Sequence, residues 1–222
     1  LNQTAGLASG SSFPSGVTAN TFVVTDGSGN TATCSFTVTV NDTEAPTTTC
    51  PANVNVSNDP GQCAANVTYS VNFNDNCGGA TLNQTAGLAS GSSFPSGVTA
   101  NTFIVTDGSG NTATCSFTVT VNDTEAPSIT CPANMVVASD PGQCAAIVTY
   151  SVIFNDNCPG ATLNQTAGLA SGSSFPTGVT VNAFVVTDGS GNTATCSFTV
   201  TVNDNEAPSI TCPANVVVSN DP

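Results

Sequence analysis

No lysine, arginine, histidine or tryptophan occurs in this chain of 222 residues. Its fourteen Asp and Glu residues therefore stand without a cationic side chain, and the formal net charge is −14. Proteins hold phosphate backbones with Lys and Arg, whose binding releases counterions, so the composition argues against a nucleic-acid partner. Anionic membrane surfaces are disfavoured for the same reason. Side-chain ion pairs are impossible, so each carboxylate must face water, accept hydrogen bonds or hold a metal ion. The absences also narrow the chemistry. Without His there is no Ser–His–Asp or Cys–His machinery, and without Lys or Arg no Schiff base or arginine clamp. A pair of carboxylates remains a formal hydrolytic device. The acids recur in every repeat, however, and no pair stands apart, so no enzyme is expected. No apolar run reaches the length of a membrane span, and no membrane insertion is expected. A secretory leader is also lacking, which does not count against export, because the chain starts inside a repeat.

What is present is a repeat. Leu1-Asn2-Gln3-Thr4-Ala5-Gly6-Leu7 returns at Leu82 and again at Leu163, a period of 81 residues without insertion or deletion. Residues 1–81 and 82–162 differ at only 10 positions. A unit of that length holds a small core of its own, unlike short solenoid repeats that bury nothing alone. The Asn-Asp-Thr-Glu-Ala-Pro junction at Asn41–Pro46 recurs at Asn122–Pro127 and, as Asn-Asp-Asn-Glu-Ala-Pro, at Asn203–Pro208. Pro cannot donate to a central ladder and suits a boundary. This phasing gives a partial repeat over 1–43, complete repeats over 44–124 and 125–205, and the first strand of another over 206–222. The parent protein is expected to continue in both directions.

Period-2 alternation dominates each unit. From Thr112 to Val121 hydroxylated residues alternate with Ala113, Cys115, Phe117, Val119 and Val121, the pattern of a half-buried antiparallel strand. Val67, Tyr69, Val71 and Phe73 alternate in the same way with polar neighbours. Turn signals such as Asn58-Asp59-Pro60-Gly61 and Asp107-Gly108-Ser109-Gly110-Asn111 separate the runs. About seven short strands in ~80 residues predict an all-β, two-sheet sandwich.

The motifs Thr130-Cys131-Pro132, Asp140-Pro141-Gly142-Gln143-Cys144, Asn155-Asp156-Asn157-Cys158, Gln165–Leu169 and Thr187–Cys196 together resemble the hyalin repeat, an immunoglobulin-like module. The resemblance spans the chain, and the one departure is the complete loss of basic residues. It implies tandem immunoglobulin-like β-sandwiches arranged linearly, an extracellular matrix, adhesion or surface-adhesin setting, and no catalytic residues.

The ten cysteines show no CxxC or Cys/His spacing of a zinc site and read as disulfides of an oxidising compartment. If residues 48–56 and 63–73 form a hairpin, Cys50 and Cys77 share one end. That predicts bridges Cys50–Cys77 and Cys63–Cys115, and by period Cys131–Cys158 and Cys144–Cys196, leaving Cys34 and Cys212 unpaired. The bland alternative is buried free thiols.

Among the acids, Asp42, Glu44, Asp123, Glu125, Asp204 and Glu206 mark the junctions, with Asp75 and Asp156 expected at the same pole. The Asn-Asp-Asn-Glu-Ala-Pro string also looks like a cadherin-type linker, where acids hold calcium between domains. Asp/Asn clusters supply the oxygens Ca²⁺ requires, so these eight acids are the candidate metal ligands and Ca²⁺ the candidate cofactor. Asx turns that cap loops and stay solvated are the favoured reading of the same residues. Asp26, Asp107 and Asp188, in the Asp-Gly-Ser-Gly-Asn loops, read chiefly as turn residues, with calcium ligation as the second reading.

Outward-facing Asn55, Asn66 and Asn72 of one repeat become Val136, Ile147 and Ile153 in the next. On two adjacent strands these would make a lateral contact with another chain, set against neutral drift on a tolerant face. Asn-x-Ser/Thr sequons at Asn2, Asn41, Asn55, Asn66, Asn83, Asn122 and Asn164 matter only where glycosylation occurs. The sequence therefore points to a structural or adhesive extracellular segment, a stalk or fibre of a larger secreted or surface protein. Neighbouring repeats or further copies are its expected partners, and a glycan or matrix component is another. The rivals are a calcium-dependent module that binds its partner directly, and the stalk of a larger enzyme.

Overall fold

The computed structural model describes residues 1–220, and every regular element among them is a β-strand. No helix among the described residues is long and apolar enough to cross a membrane. Three strands, β1 (Asn2–Ala5), β2 (Gly16–Thr25) and β3 (Thr31–Val40), form an antiparallel sheet. The next period supplies β4 (Thr47–Thr49), β5 (Val54–Ser57), β6 (Ala64–Val67), β7 (Asn72–Asn74), β8 (Thr81–Ala86), β9 (Ser92–Pro95), β10 (Gly97–Thr106) and β11 (Thr112–Asn122). The period after it repeats the set as β12 (Ser128–Thr130), β13 (Met135–Ala138), β14 (Ala145–Val148), β15 (Ile153–Asn155), β16 (Thr162–Ala167), β17 (Ser173–Pro176), β18 (Gly178–Thr187) and β19 (Thr193–Asn203).

Each complete repeat is an immunoglobulin-like sandwich. One layer is the four-stranded sheet β5-β11-β10-β8, in which β5 runs parallel to β11 and the other pairs are antiparallel. The short pairs β4-β7 and β6-β9 make up the rest. Alternation decides the packing, since successive side chains of a strand point to opposite faces. In β11 Phe117, Val119 and Val121 are buried while Thr112, Thr114 and Ser116 stay exposed. The buried row meets Ala65, Val67 and Phe94 from β6 and β9, and Phe198, Val200 and Val202 meet Ala146, Val148 and Phe175 in the same way. Tyr69 lies edge-on to Phe117 at 4.9 Å and donates its hydroxyl to the Leu88 carbonyl.

The strands β2 and β3 have the register of β10 and β11, yet Phe36 is 53% exposed where Phe117 is 3% exposed. The stretch 206–222, expected to open a further repeat, carries no strand among its described residues 206–220, and its last two positions lie outside the described residues. In the preceding repeats the equivalent strands β4, β5, β12 and β13 pair with β7, β11, β15 and β19, all later in the chain.

Two compact units result. Residues 1–59 with 64–122 form the first. The loop Pro60–Cys63 and the residues from Asp123 onward form the second.

Candidate functional site

Three loops converge in the second unit. Asp123 follows β11, Asp156 follows β15, and Asp188 follows β18 at the head of the Asp-Gly-Ser-Gly-Asn turn. Their carboxylate oxygens lie within 4.8 Å of one another. Asp42, Asp75 and Asp107 make the period-equivalent group in the first unit, within the same limit.

Each carboxylate is anchored locally. Asp188 Oδ1 accepts the Ser190 and Asn192 N–H groups at 2.9 and 2.8 Å, and its Oδ2 accepts Asn192 Nδ2 at 2.8 Å. The same Asn192 amide also donates to the Asp123 carbonyl at 3.2 Å, tying the turn to the junction. Asp123 Oδ1 accepts the Glu125 N–H at 3.2 Å, and Asp156 Oδ2 accepts the Cys158 N–H at 3.1 Å. The remaining oxygens, Asp123 Oδ2 and Asp156 Oδ1, are buried with no hydrogen-bond partner, and so are Asn157 Oδ1 and, in the other group, Asp75 Oδ1. Asp123 is 7% exposed and Asp188 6%.

Electrostatics follow from this placement. Burial pushes the Asp107 and Asp188 carboxyls up, but the Asn, Ser and Gly hydrogen bonds of their turns outweigh it, and both lie below the ordinary 3.8. The Cys77 thiol is pushed up, first by its hydrogen bond to Asp42, then by desolvation and by the charges of Asp42, Asp75 and Asp107.

Of the eight acids the sequence singles out, Asp42, Asp75, Asp123 and Asp156 come together and the others do not. Glu125 Oε2 accepts the Gly61 N–H at 2.7 Å, Glu206 Oε2 accepts the Gly142 N–H at 2.8 Å, and Glu44 Oε2 accepts Asn76 Nδ2 at 2.9 Å. Asp204 accepts the Glu206 N–H at 3.0 Å and joins no triad among the described residues. Asp107 and Asp188 are the members that sequence reading left among the turn residues. They cap their turns as expected and face the other acids as well. Counting antiparallel strand crossings finds them: each ten-residue strand carries the chain from one pole to the other.

The disulfides differ from the expected pairing. The bridges are Cys50–Cys115, Cys131–Cys196 and Cys63–Cys158, not Cys50–Cys77, Cys63–Cys115, Cys131–Cys158 or Cys144–Cys196. The expected hairpin does not form. The strand β4 pairs with β7 through Thr47↔Asn74 and Thr49↔Asn72, so Cys50 and Cys77 leave opposite ends of the pair. Cys50 instead lies beside Cys115 of β11, with Thr48 Oγ1 3.5 Å from the Cys115 sulfur. Cys63 sits in the loop after β5 and reaches the NDNC loop of the next repeat, where Asn157 Nδ2 also donates to the Gln62 carbonyl at 3.0 Å. Cys34, Cys77, Cys144 and Cys212 are free and exposed. Each is one period from a bridged residue: Cys34 from Cys115, Cys77 from Cys158, Cys144 from Cys63, and Cys212 from Cys131.

Val136, Ile147 and Ile153 are 67–69% exposed. They stand on β13, β14 and β15, which belong to three different sheets, so strand pairing does not assemble them into the lateral face expected from two adjacent strands.

With this geometry in view, the HYR domain pattern matches residues 2–40, 41–121 and 122–202. The chain belongs to the HYR domain family. Hyalin of Strongylocentrotus purpuratus is 37% identical over 222 residues, covering 96% of this chain and 18% of that protein. The sushi, von Willebrand factor type A, EGF and pentraxin domain-containing protein 1 of Rattus norvegicus is 34% identical over 168 residues, 72% of this chain and 4% of that protein. This HYR segment thus spans less than a fifth of either relative's length. Protocadherin gamma B2 extracellular cadherin domains 1–5 align over 87% of this chain and 47% of that one, at 12% identity and a TM-score of 0.39, too loose a likeness to carry an argument. The segment is an extracellular or cell-surface repeat of the adhesion type.

Proposed function

We propose that this HYR segment is a covalently clasped structural tether of a larger extracellular adhesive protein, with a mechanical rather than a catalytic role. One observation carries the reading: Cys63–Cys158 joins a loop of one repeat to a loop of the next, in addition to the main chain. Cys50–Cys115 and Cys131–Cys196 meanwhile close each repeat upon itself. Free Cys144 and Cys77 present the two halves of the same junction bridge, for neighbouring repeats of the same protein. A chain without His, Lys or Arg supports the non-catalytic side of the reading.

The test is single-molecule extension of the full chain, oxidised and then reduced. With Cys50, Cys115, Cys131 and Cys196 replaced by Ser, the junction bridge Cys63–Cys158 alone withholds 95 residues from extension. At ~3.4 Å per residue, reduction should lengthen that unfolded chain by about 320 Å. An oxidised chain that already extends to the reduced length overturns the proposal.

A further inference from the structure

We propose that the outward face of the sheet β13-β19-β18-β16 binds a second copy of this chain, side by side and sheet against sheet. This goes beyond the tether reading, which concerns contacts along one chain, and it stands whether or not the junction bridge forms.

Register assembles the face. Successive side chains alternate across a strand, so with Phe198, Val200 and Val202 buried, Thr199 and Thr201 of β19 point outward. Thr201 stands between Val136 of β13 and Val179 of β18, and Thr199 stands beside Val181. The three valines are 68%, 66% and 54% exposed. The preceding repeat supplies a comparison within the same chain. Where it has Asn55, Ser57, Ala100 and Thr102, the later repeat has Val136, Ala138, Val181 and Ala183. All four changes fall on the outward rows of this one sheet. Each replaces a polar side chain by an apolar one or enlarges an apolar one. An exposed apolar patch of this kind marks a contact surface.

Charge and area select the occupant. Every side-chain carboxylate among the described residues lies outside the strands, so the face is uncharged although the chain carries −14. A cationic partner would be drawn to the loops instead. Small ligands bind in concave sites, whereas this is an open sheet surface. Two copies of the chain, which repel one another elsewhere, can meet here without setting carboxylate against carboxylate. Sheets pack face to face with interdigitating side chains, and a two-fold axis presents the same patch to both partners. The strands have 4, 11, 10 and 6 residues. At ~3.3 Å per residue and ~4.8 Å between strands they give a face of about 500 Å², so two copies would bury roughly 1,000 Å². That just reaches the area of about 1,000 Å² that a specific contact requires. The pairing is therefore weak and reversible, and it gains strength where several such repeats act together.

Sedimentation equilibrium of the oxidised full chain tests this. EDTA is present and the four exposed thiols are alkylated, so that neither cations nor new disulfides link copies. The average mass should climb from that of one chain toward twice that value as concentration rises. The climb should steepen as NaCl is raised to about 0.15 M, because salt screens the repulsion between two chains of −14. The variant Val136→Asn/Ala138→Ser/Val181→Ala/Ala183→Thr restores the residues of the preceding repeat, which the same fold accommodates, and should sediment as a monomer. Val179→Glu sets a carboxylate in the face at a solvent-exposed site and should do the same. Phe36 lies in a different sheet, β1-β2-β3, where its ring is 53% exposed, and Phe36→Thr should leave the association intact. Circular dichroism and non-reducing mapping of Cys131–Cys196 establish that each variant is folded. A wild type that stays monomeric at every concentration overturns the proposal. So does association that weakens with salt, survives either face variant, or is lost in Phe36→Thr.

Discussion

Replacing Cys63 and Cys158 by Ser isolates the contribution of the junction bridge. Cys63 and Cys158 are 95 residues apart in sequence. With the other bridges intact the unfolded chain offers a shorter route, from Cys63 back to Cys50, across to Cys115, on to Cys131 and then to Cys158. That route is about 56 residues, for which the chain-entropy relation gives a stabilisation of about 4 kcal/mol. The figure is an upper bound, because the denatured chain keeps residual structure. The comparison is best made in a Cys77→Ser/Cys144→Ser background, so that the two exposed thiols cannot exchange into the bridge. Equilibrium unfolding in urea, followed by circular dichroism, should place the double variant lower by up to that amount. Adding reductant should erase the difference. Superimposable unfolding curves, or a Cys63 that is alkylated in the native oxidised chain, would refute the bridge and the tether reading with it.

The remaining predictions concern single sites. Gly168 has φ +91, and an added Cβ would collide with the Asn182 carboxamide and backbone. Gly168→Ala should therefore cost at least about 2 kcal/mol in thermal or urea unfolding, where an unstrained surface change costs under about 0.5. The Tyr150 hydroxyl donates to the Leu169 carbonyl, and Tyr150→Phe should lose about 1 kcal/mol by the same assay. Asp26 titrates below 3.8 because of the Asn30 side chain first, then the N–H groups of Asn30 and Ser28, with slight desolvation opposing them. A folded-state pKa below the unfolded one stabilises the turn above the unfolded value, and the effect is lost as pH falls through the lower folded value. Carboxyl-detected NMR should show Asp26 titrating below 3.8, and Asn30→Ala should return it toward that value.

Most of the fold was legible in the sequence because the signals that set it are local. Alternation from Thr112 to Val121 assigns the inward row of β11, and the burial of Phe117, Val119 and Val121 follows it. The 81-residue period and the HYR motifs gave the repeated sandwich, since a near-identical sequence meets the same partners in each copy. The absence of His, Lys and Arg likewise fixed what chemistry the chain lacks, whatever its conformation.

Tertiary structure decided the pairings. Sequence reading joined residues 48–56 to 63–73 as a hairpin because they are neighbours in the chain, yet β4 goes to β7, β5 to β11 and β6 to β9. Every disulfide assignment changed with that choice, because a bridge needs two sulfurs brought together by non-local strand pairing. The acids divided for the same reason. Glu44, Glu125 and Glu206 share the junction motif with Asp42, Asp123 and Asp204, but their reach takes them to a nearby side-chain or main-chain N–H instead. Asp107 and Asp188 read as local turn residues, and the antiparallel course of β10 and β18 carried them to the pole where the other acids stand. Composition and period act through each residue's own neighbourhood and survive any fold. Which distant residues meet depends on strand order, which this sequence did not encode locally.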